Sequence, residues 1–304
     1  MASKLLLTRL RTITRPSNPF KNLNFEVQTL IQIRQYSDPI DPAAAPSPAV
    51  ANFKRASKSS LNETELKKFS AIAETWWDAE GPFKPLHVMN PTRLAFIRST
   101  LCRHFGKDQN SARPFEGLKF VDVGCGGGII SEPLARMGAS VMGIDAVEKN
   151  IKIAQLHADL DPITSSIDYR CTTAEKLVEE QRQFDAVIAL EVIEHVANPS
   201  EFCKSLSELT SSSGATIIST INRSMRAYAT AIIMAEYVLH WLPRGTHEWS
   251  SFLTPEELVL ILQRASISVD EMAGFVYNPF TARWSISDDI SVNFIAFGTK
   301  TVNE

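Results

Sequence analysis

Residues 121–128 read VDVGCGGG. An apolar run ends there, a glycine turn follows, and a helix is expected beyond. Glycines let a backbone approach a ligand with no Cβ in the way, and a helix start offers free N–H groups. The spacing is G-x-G-x-G over Gly124, Gly126 and Gly128. A nicotinamide-dinucleotide fingerprint would place its third glycine at 129, where Ile129 stands. Asp122 precedes the loop, and a carboxylate there suits a ligand bearing an ammonium group better than a pyrophosphate. The next strand, SVMGID (140–145), ends on Asp145. A carboxylate can accept from two hydroxyls at once, and its distance from the loop fits the end of the neighbouring strand. Cys125 reads as a small loop residue, since no base is identifiable beside it.

Working outward, a strand–helix rhythm appears. Strands are expected at 118–123, 140–145, 166–171, 184–190 and 214–221, with helices between them and Gly138 as a left-handed stop. Such alternation implies an α/β fold, a parallel sheet wrapped by helices on both faces. Thr254 to Glu257 caps a helix running to about Ala265. Two strands near 267–276 and 290–298 follow with no helix between them, so that pair is expected to be antiparallel. Upstream, Asn62 and Glu65 have the spacing of a reciprocal helix cap. Residues 76–87 read as a Gly/Pro-rich loop and 90–105 as a second helix.

The 304 residues are 44% hydrophobic and carry a net charge of −3. That suffices for one large domain and argues against nucleic acid as a partner. Cys102, Cys125, Cys171 and Cys203 form no CxxC pair, so neither a disulfide framework nor a zinc site is indicated. The first 37 residues hold six basic groups, from Lys4 to Arg34, against the single Glu26. That is the composition of a mitochondrial transit peptide, here placed at 1–36 with a cut after Tyr36. Residues 37–61, rich in Pro and Ala, read as a flexible linker.

FDAVIALEVIEHVANP (184–199) carries the second cluster. A helical turn starting at Glu191 would put Glu191, Glu194 and His195 on one face. Two carboxylates and an imidazole could hold a divalent cation. Equally, His195 could act as a base without a metal, or the segment could be a charged helix start.

The glycine loop with Asp122 and Asp145 resembles the class I S-adenosylmethionine-dependent methyltransferases. WWDAEGPFKPLH, NPTRL, DVGCGGGI, ExxEH, IISTINR and PRGTH together, in order over residues 62–300, resemble the ubiquinone-biosynthesis O-methyltransferases, which act on polyprenyl-dihydroxybenzoate and demethylubiquinol. That resemblance implies a Rossmann-like, mostly parallel seven-stranded sheet with an antiparallel last strand. It implies S-adenosylmethionine held by Arg93, Asp122, Gly124, Gly126, Asp145 and the backbone of Leu190. It further implies magnesium (Mg2+) held by Glu191, Glu194 and His195, a role that competes with His195 as base. The methyltransferase domain would span 62–304, with an N-terminal helical cap at 62–117 and an insertion at 222–252. The implied setting is the matrix side of the mitochondrial inner membrane, with a polyprenylated phenolic substrate and a multi-protein ubiquinone-synthesis complex.

RAYATAIIMAEYVLHWL (226–242) is the greasiest stretch. As a helix it would be ~26 Å long, short for a membrane span, and Glu236 near its middle argues against spanning. Arg223, Arg226 and Arg244 flank it, and Tyr228, Tyr237 and Trp241 favour membrane interfaces. A helix lying on the inner-membrane surface is expected, with a core or dimer helix as the alternative. Two further readings of the whole chain compete with the methyltransferase: a nicotinamide oxidoreductase, opposed by Ile129, and a non-catalytic scaffold, opposed by the intact acids.

Overall fold

The computed structural model describes residues 60–227, 251–278 and 280–301. The basic N-terminal segment, the linker up to residue 59 and most of 226–242 lie outside the described residues. Ser60, assigned to the linker from composition, belongs to the fold. It is buried, its backbone N and Oγ donate to Glu175 Oε1, and its carbonyl accepts from Ala197 N at 2.7 Å.

Helix α1 (Glu63–Ile72) is capped by Asn62, whose Oδ1 accepts from Thr64 N at 3.1 Å. Helix α2 (Lys84–His104) starts six residues before the expected position. Pro85 stands in its first turn, where a missing N–H costs no intrahelical bond. The expected rhythm then follows: β1 (Lys119–Val123), α3 (Ser131–Arg136), β2 (Ser140–Asp145), α4 (Glu148–Ala158), β3 (Asp168–Cys171), α5 (Ala174–Glu179), β4 (Phe184–Leu190), α6 (Pro199–Leu209) and β5 (Thr210–Ile221). Gly138 closes α3 at φ +98, with its N–H on Ala135 O at 2.9 Å.

Beyond the undescribed segment, Thr254 caps α7 (Pro255–Arg264) with both bonds of a capping box in place. β6 (Ile267–Asn278), β7 (Arg283–Ser287) and β8 (Asn293–Lys300) finish the sheet. The strand order is β3-β2-β1-β4-β5-β8-β6-β7. β1 to β5 pair in parallel, while β8 runs antiparallel to both β5 and β6, as expected for the last pair. The sheet has eight strands rather than the expected seven. The addition is β7, a hairpin partner of β6 from Gly274↔Ser287 to Asn278↔Arg283. The chain reverses between them with Ala282 at φ +51, and five residues of mixed polarity gave no strand signal beforehand.

Phe96, Ile97 and Leu101 of α2, Phe120 of β1, Ile188 of β4 and Ile217 of β5 are buried in one cluster. This core fixes the carboxyl ends of the parallel strands. The strand order turns between β1 and β4, and ligands of open α/β sheets bind in that crevice.

Candidate functional site

The site is a cavity of about 1470 Å³ along that edge of the sheet. Its walls come from Asp145 after β2, Gly124 and Gly126 after β1, Leu190 closing β4, Ile221 closing β5, Asn293 opening β8, and the end of β6 with Trp284 of β7. The cavity therefore has a β2–β1–β4 half and a β5–β8–β6–β7 half, and the ExxEH turn follows the strand between them.

In the first half, Gly124, Gly126 and Gly128 all have positive φ. The loop turns under Ile144, whose carbonyl accepts from Gly124 N and Cys125 N at 2.8 and 2.9 Å. All three are also demanded by space: a Cβ on Gly124 would lie 2.6 Å from a Val192 methyl. A Cβ on Gly126 would lie 2.3 Å from the Trp76 ring, and one on Gly128 would lie 2.2 Å from the Tyr169 hydroxyl. Asp145 is pinned at the cavity wall: Oδ2 accepts from Gly126 N at 3.0 Å, and Oδ1 accepts from Val147 N at 2.7 Å and Asn150 Nδ2 at 3.2 Å. Burial raises its carboxyl pKa, and those donors oppose the rise.

Asp122 and Arg93 are buried but do not line the cavity. Asp122 Oδ2 accepts from Ser131 Oγ at 2.6 Å and so ties the loop to α3. Burial pushes its carboxyl up to about 6. Arg93 donates through Nε and Nη2 to Asn90 Oδ1, and Asn90 Nδ2 donates to Ile129 O at 3.0 Å. Burial lowers the guanidinium's pKa, and the charges of Glu191 and Asp122 oppose that shift. Cys125 is buried and its thiol is raised well above the usual range by burial, in keeping with a packing role.

Sequence reasoning missed three supports of this half. Trp76 lies against Gly126 and Gly127 and donates Nε1 to Asn150 Oδ1 at 2.9 Å. Trp77 donates Nε1 to Gly127 O at 2.9 Å. Tyr169 of β3 packs against Gly128 and Gly143. The WWD motif was visible; its contact with a loop about fifty positions away had no local signal.

The ExxEH segment departs from its expected shape. Glu191 takes a left-handed φ of +54, and the residues after it form only a 3₁₀ turn, Ile193–His195. The three side chains consequently have separate partners. Glu191 Oε1 accepts from Ser219 Oγ at 2.7 Å, buried Glu194 Oε2 accepts from Thr220 Oγ1 at 2.9 Å, and His195 Nδ1 meets Glu65 Oε2 at 2.8 Å. All three line the cavity. Among the described residues, however, no three His, Cys, Asp or Glu groups stand together so as to hold a metal. The donor types suit a divalent cation, but the α-helical turn expected to gather them is a 3₁₀ turn here. Burial and then the Glu191 charge push Glu194 up to about 7. For His195, burial lowers the pKa, but the Glu65 hydrogen bond and the nearby carboxylates outweigh it, so the net shift is upward.

The doubly wound sheet, the glycine loop and the acid closing β2 define a class I S-adenosylmethionine-dependent methyltransferase, and the loop and Asp145 fit that donor's nucleoside. Residues 95–271 match the methyltransferase-domain family. The magnesium protoporphyrin IX methyltransferase of Synechocystis, solved with S-adenosylhomocysteine bound, shares the fold at a TM-score of 0.53 and 19% identity, over 77% of this chain and 95% of that one. The mitochondrial ubiquinone biosynthesis O-methyltransferase of Arabidopsis thaliana is 74% identical over 244 residues, covering 80% of this chain and 76% of the relative. The ubiquinone biosynthesis O-methyltransferase of a Ruegeria species is 48% identical over 248 residues, covering 81% of this chain and all of the relative. The chain belongs to the ubiquinone biosynthesis O-methyltransferase family and is an S-adenosylmethionine-dependent O-methyltransferase.

Proposed function

We propose that the acceptor is a hydroxyl of a polyprenylated phenolic ring, as in polyprenyl-dihydroxybenzoate and demethylubiquinol, and that His195 takes its proton. The carrying observation is the cavity. At about 1470 Å³ it exceeds the ~300–1000 Å³ of an ordinary small-molecule site, so it has room for a second ligand beside the methyl donor. Met89, Phe275, Val276, Tyr277 and Trp284 supply apolar and aromatic walls in the half away from Asp145.

The bound donor supplies a methyl already activated on a sulfonium. The protein must hold the acceptor oxygen in line behind that methyl and remove its proton. Alignment alone can contribute ~7–11 kcal/mol. His195 Nδ1 is engaged by Glu65, so Nε2 is the nitrogen left for the phenolic proton. A phenol near pKa 10 is about 3.5 units above a reference imidazole, so complete prior transfer would be uphill by ~5 kcal/mol. The proton therefore moves to Nε2 as the new O–C bond forms and the C–S bond breaks. No step is routed through a metal.

We also infer that residues 1–36 direct import into the mitochondrion, in line with the mitochondrial relative. No helix among the described residues is long and apolar enough to cross a membrane. Peripheral attachment to the matrix face of the inner membrane through residues 223–245, beside other ubiquinone-synthesis enzymes, fits a substrate that lives in the bilayer. Flotation with liposomes should be lost in Ile232→Glu plus Ile233→Glu.

The direct test is methyl transfer from labelled donor to a prenylated dihydroxybenzoate, with and without chelator. The expected outcome is a singly O-methylated product and activity that survives chelation. Activity restored only by magnesium would replace the base with a rearranged ExxEH centre, and no transfer at all would overturn the acceptor assignment.

A further inference from the structure

We propose that Asn293 is a specificity-determining residue: its side-chain amide donates a hydrogen bond to a ring oxygen of the acceptor other than the one being methylated. This deepens the reading of the cavity as a phenolic-acceptor site and rests on it.

Asn293 opens β8 and pairs with Ile221 at the carboxyl end of β5, so it stands on the sheet edge that carries the site. It is only 8% exposed and lines the cavity together with Ile221, Phe275, Tyr277 and Trp284. The β6–β8 ladder ends at Gly274↔Phe294. One residue beyond, the Asn293 side chain takes over from the backbone, and its Oδ1 accepts from Phe275 N at 3.0 Å. A backbone N–H can only donate. That bond therefore settles which end of the amide is oxygen, an assignment that otherwise depends on the surrounding network. Nδ2, with its two N–H donors, points away from Phe275 N.

Those donors meet no partner among the described residues. The side-chain atoms that are both sealed and unpartnered there are the Tyr169 and Ser211 hydroxyls, so Asn293 Nδ2 stays open to the cavity. Asn222, equally buried, differs: its Nδ2 donates to Ile290 O at 2.8 Å. Other polar side chains around the acceptor half are engaged as well, Glu191 with Ser219, Glu194 with Thr220 and Arg226 with Asp289. A donor on so buried a side chain with no protein partner is uncommon, because leaving it unmet is costly. A neutral amide also suits the proposed acceptors. It donates equally to a carboxylate oxygen of a dihydroxybenzoate and to a neutral quinol oxygen, without the desolvated charge that a cation would bring.

The full chain tests this with three acceptors: the prenylated dihydroxybenzoate, the same ring without its carboxylate, and the same ring with a single hydroxyl. The parent protein should lose roughly 10–100-fold in kcat/KM toward the analogue that lacks the recognised oxygen, the effect of one lost bond and one unmet donor. Asn293→Asp, assayed at pH 8, keeps an oxygen for Phe275 N and puts an acceptor where the donor was. It should lower kcat/KM toward the prenylated dihydroxybenzoate by a similar factor and erase the preference for the recognised oxygen, with donor Kd unchanged. The side-chain amide resonances of Asn293 should shift when the prenylated dihydroxybenzoate is added to the parent protein. Equal kcat/KM for all three acceptors in the parent, a preference that Asn293→Asp preserves, or amide resonances indifferent to the acceptor would overturn the proposal. A loss confined to melting temperature would overturn it too, reducing Asn293 to a cap on the sheet edge. If Asn293→Asp does not fold, the parent's ranking of the acceptors and its amide resonances decide. Should the parent methylate none of the three, the functional reading falls instead.

Discussion

The two halves of the cavity are built by different means. On the donor side, Gly124 to Gly128 and Asp145 lie within one strand–helix–strand unit, and backbone amides of Gly126 and Val147 do most of the positioning. On the acceptor side, side chains from separate segments pair off, Glu65 with His195, Ser219 with Glu191 and Tyr277 with Trp284. A site made from backbone is fixed by the local fold and tolerates little variation. A site made from side chains depends on long-range closure, so its chemistry can be altered one residue at a time.

The sharpest way to break that contrast is to remove the base. His195→Ala should lower kcat by roughly 10²–10⁴-fold, the usual weight of a positioned general base, while equilibrium dialysis shows donor affinity nearly intact. A parallel collapse of donor binding would mean that the halves are not separable. Next in size, Asp145→Ala removes the carboxylate that holds two backbone amides at the cavity wall, where we propose that the donor's ribose binds. Losing charged hydrogen bonds of ~1.5–3 kcal/mol each should weaken donor binding by about two orders of magnitude, with the acceptor's own affinity unaffected. A smaller effect is expected from Trp284→Ala. Loss of a half-buried aromatic wall, ~1.4 kcal/mol of apolar contact, should raise acceptor KM roughly tenfold and leave donor Kd alone.

The same contrast explains what could be read in advance. The donor half was legible because G-x-G-x-G, its flanking acids and the strand period are all local patterns. Two matched motifs mark the limit. Thr254 to Glu257 and Asn62 to Glu65 share the spacing of a capping box, and only the first closes both bonds. Glu65 is instead engaged by His195 and Lys68, a charged partner being stronger than a lone backbone N–H. No pattern within four residues could report that competition. The ExxEH cluster shows the complementary miss. Its membership of the site was visible, but the geometry was not, because a left-handed Glu191 and a 3₁₀ turn replace the α-turn expected there. Trp76 and Tyr169 escaped notice for a third reason: they act by filling space that the loop glycines leave open.

The finest test of the contrast uses Glu194, which lies on the acceptor side yet is fully enclosed. Its carboxyl is pushed up to about 7 by burial and by Glu191, from a reference value near 4.3. A raised folded-state value means that this group's contribution to stability is fully present below about pH 4.3 and is lost as pH rises through about 7. Above that, the protein carries a buried charge to which the Thr220 hydroxyl donates. Glu194→Gln keeps an acceptor for the Thr220 hydroxyl and cannot ionise. It should therefore melt close to the parent at pH 5 and a few degrees higher at pH 8, where about 1 kcal/mol corresponds to ~2–4 °C for a domain of this size. The same change withdraws one of the carboxylates that raise His195. A base must be unprotonated to act, so the rising limb of kcat/KM against pH should move to lower pH in the variant. Equal melting differences at both pH values would mean that Glu194 is already neutralised in the parent protein by a bound cation, and the acceptor half would then have to be redrawn around that ion.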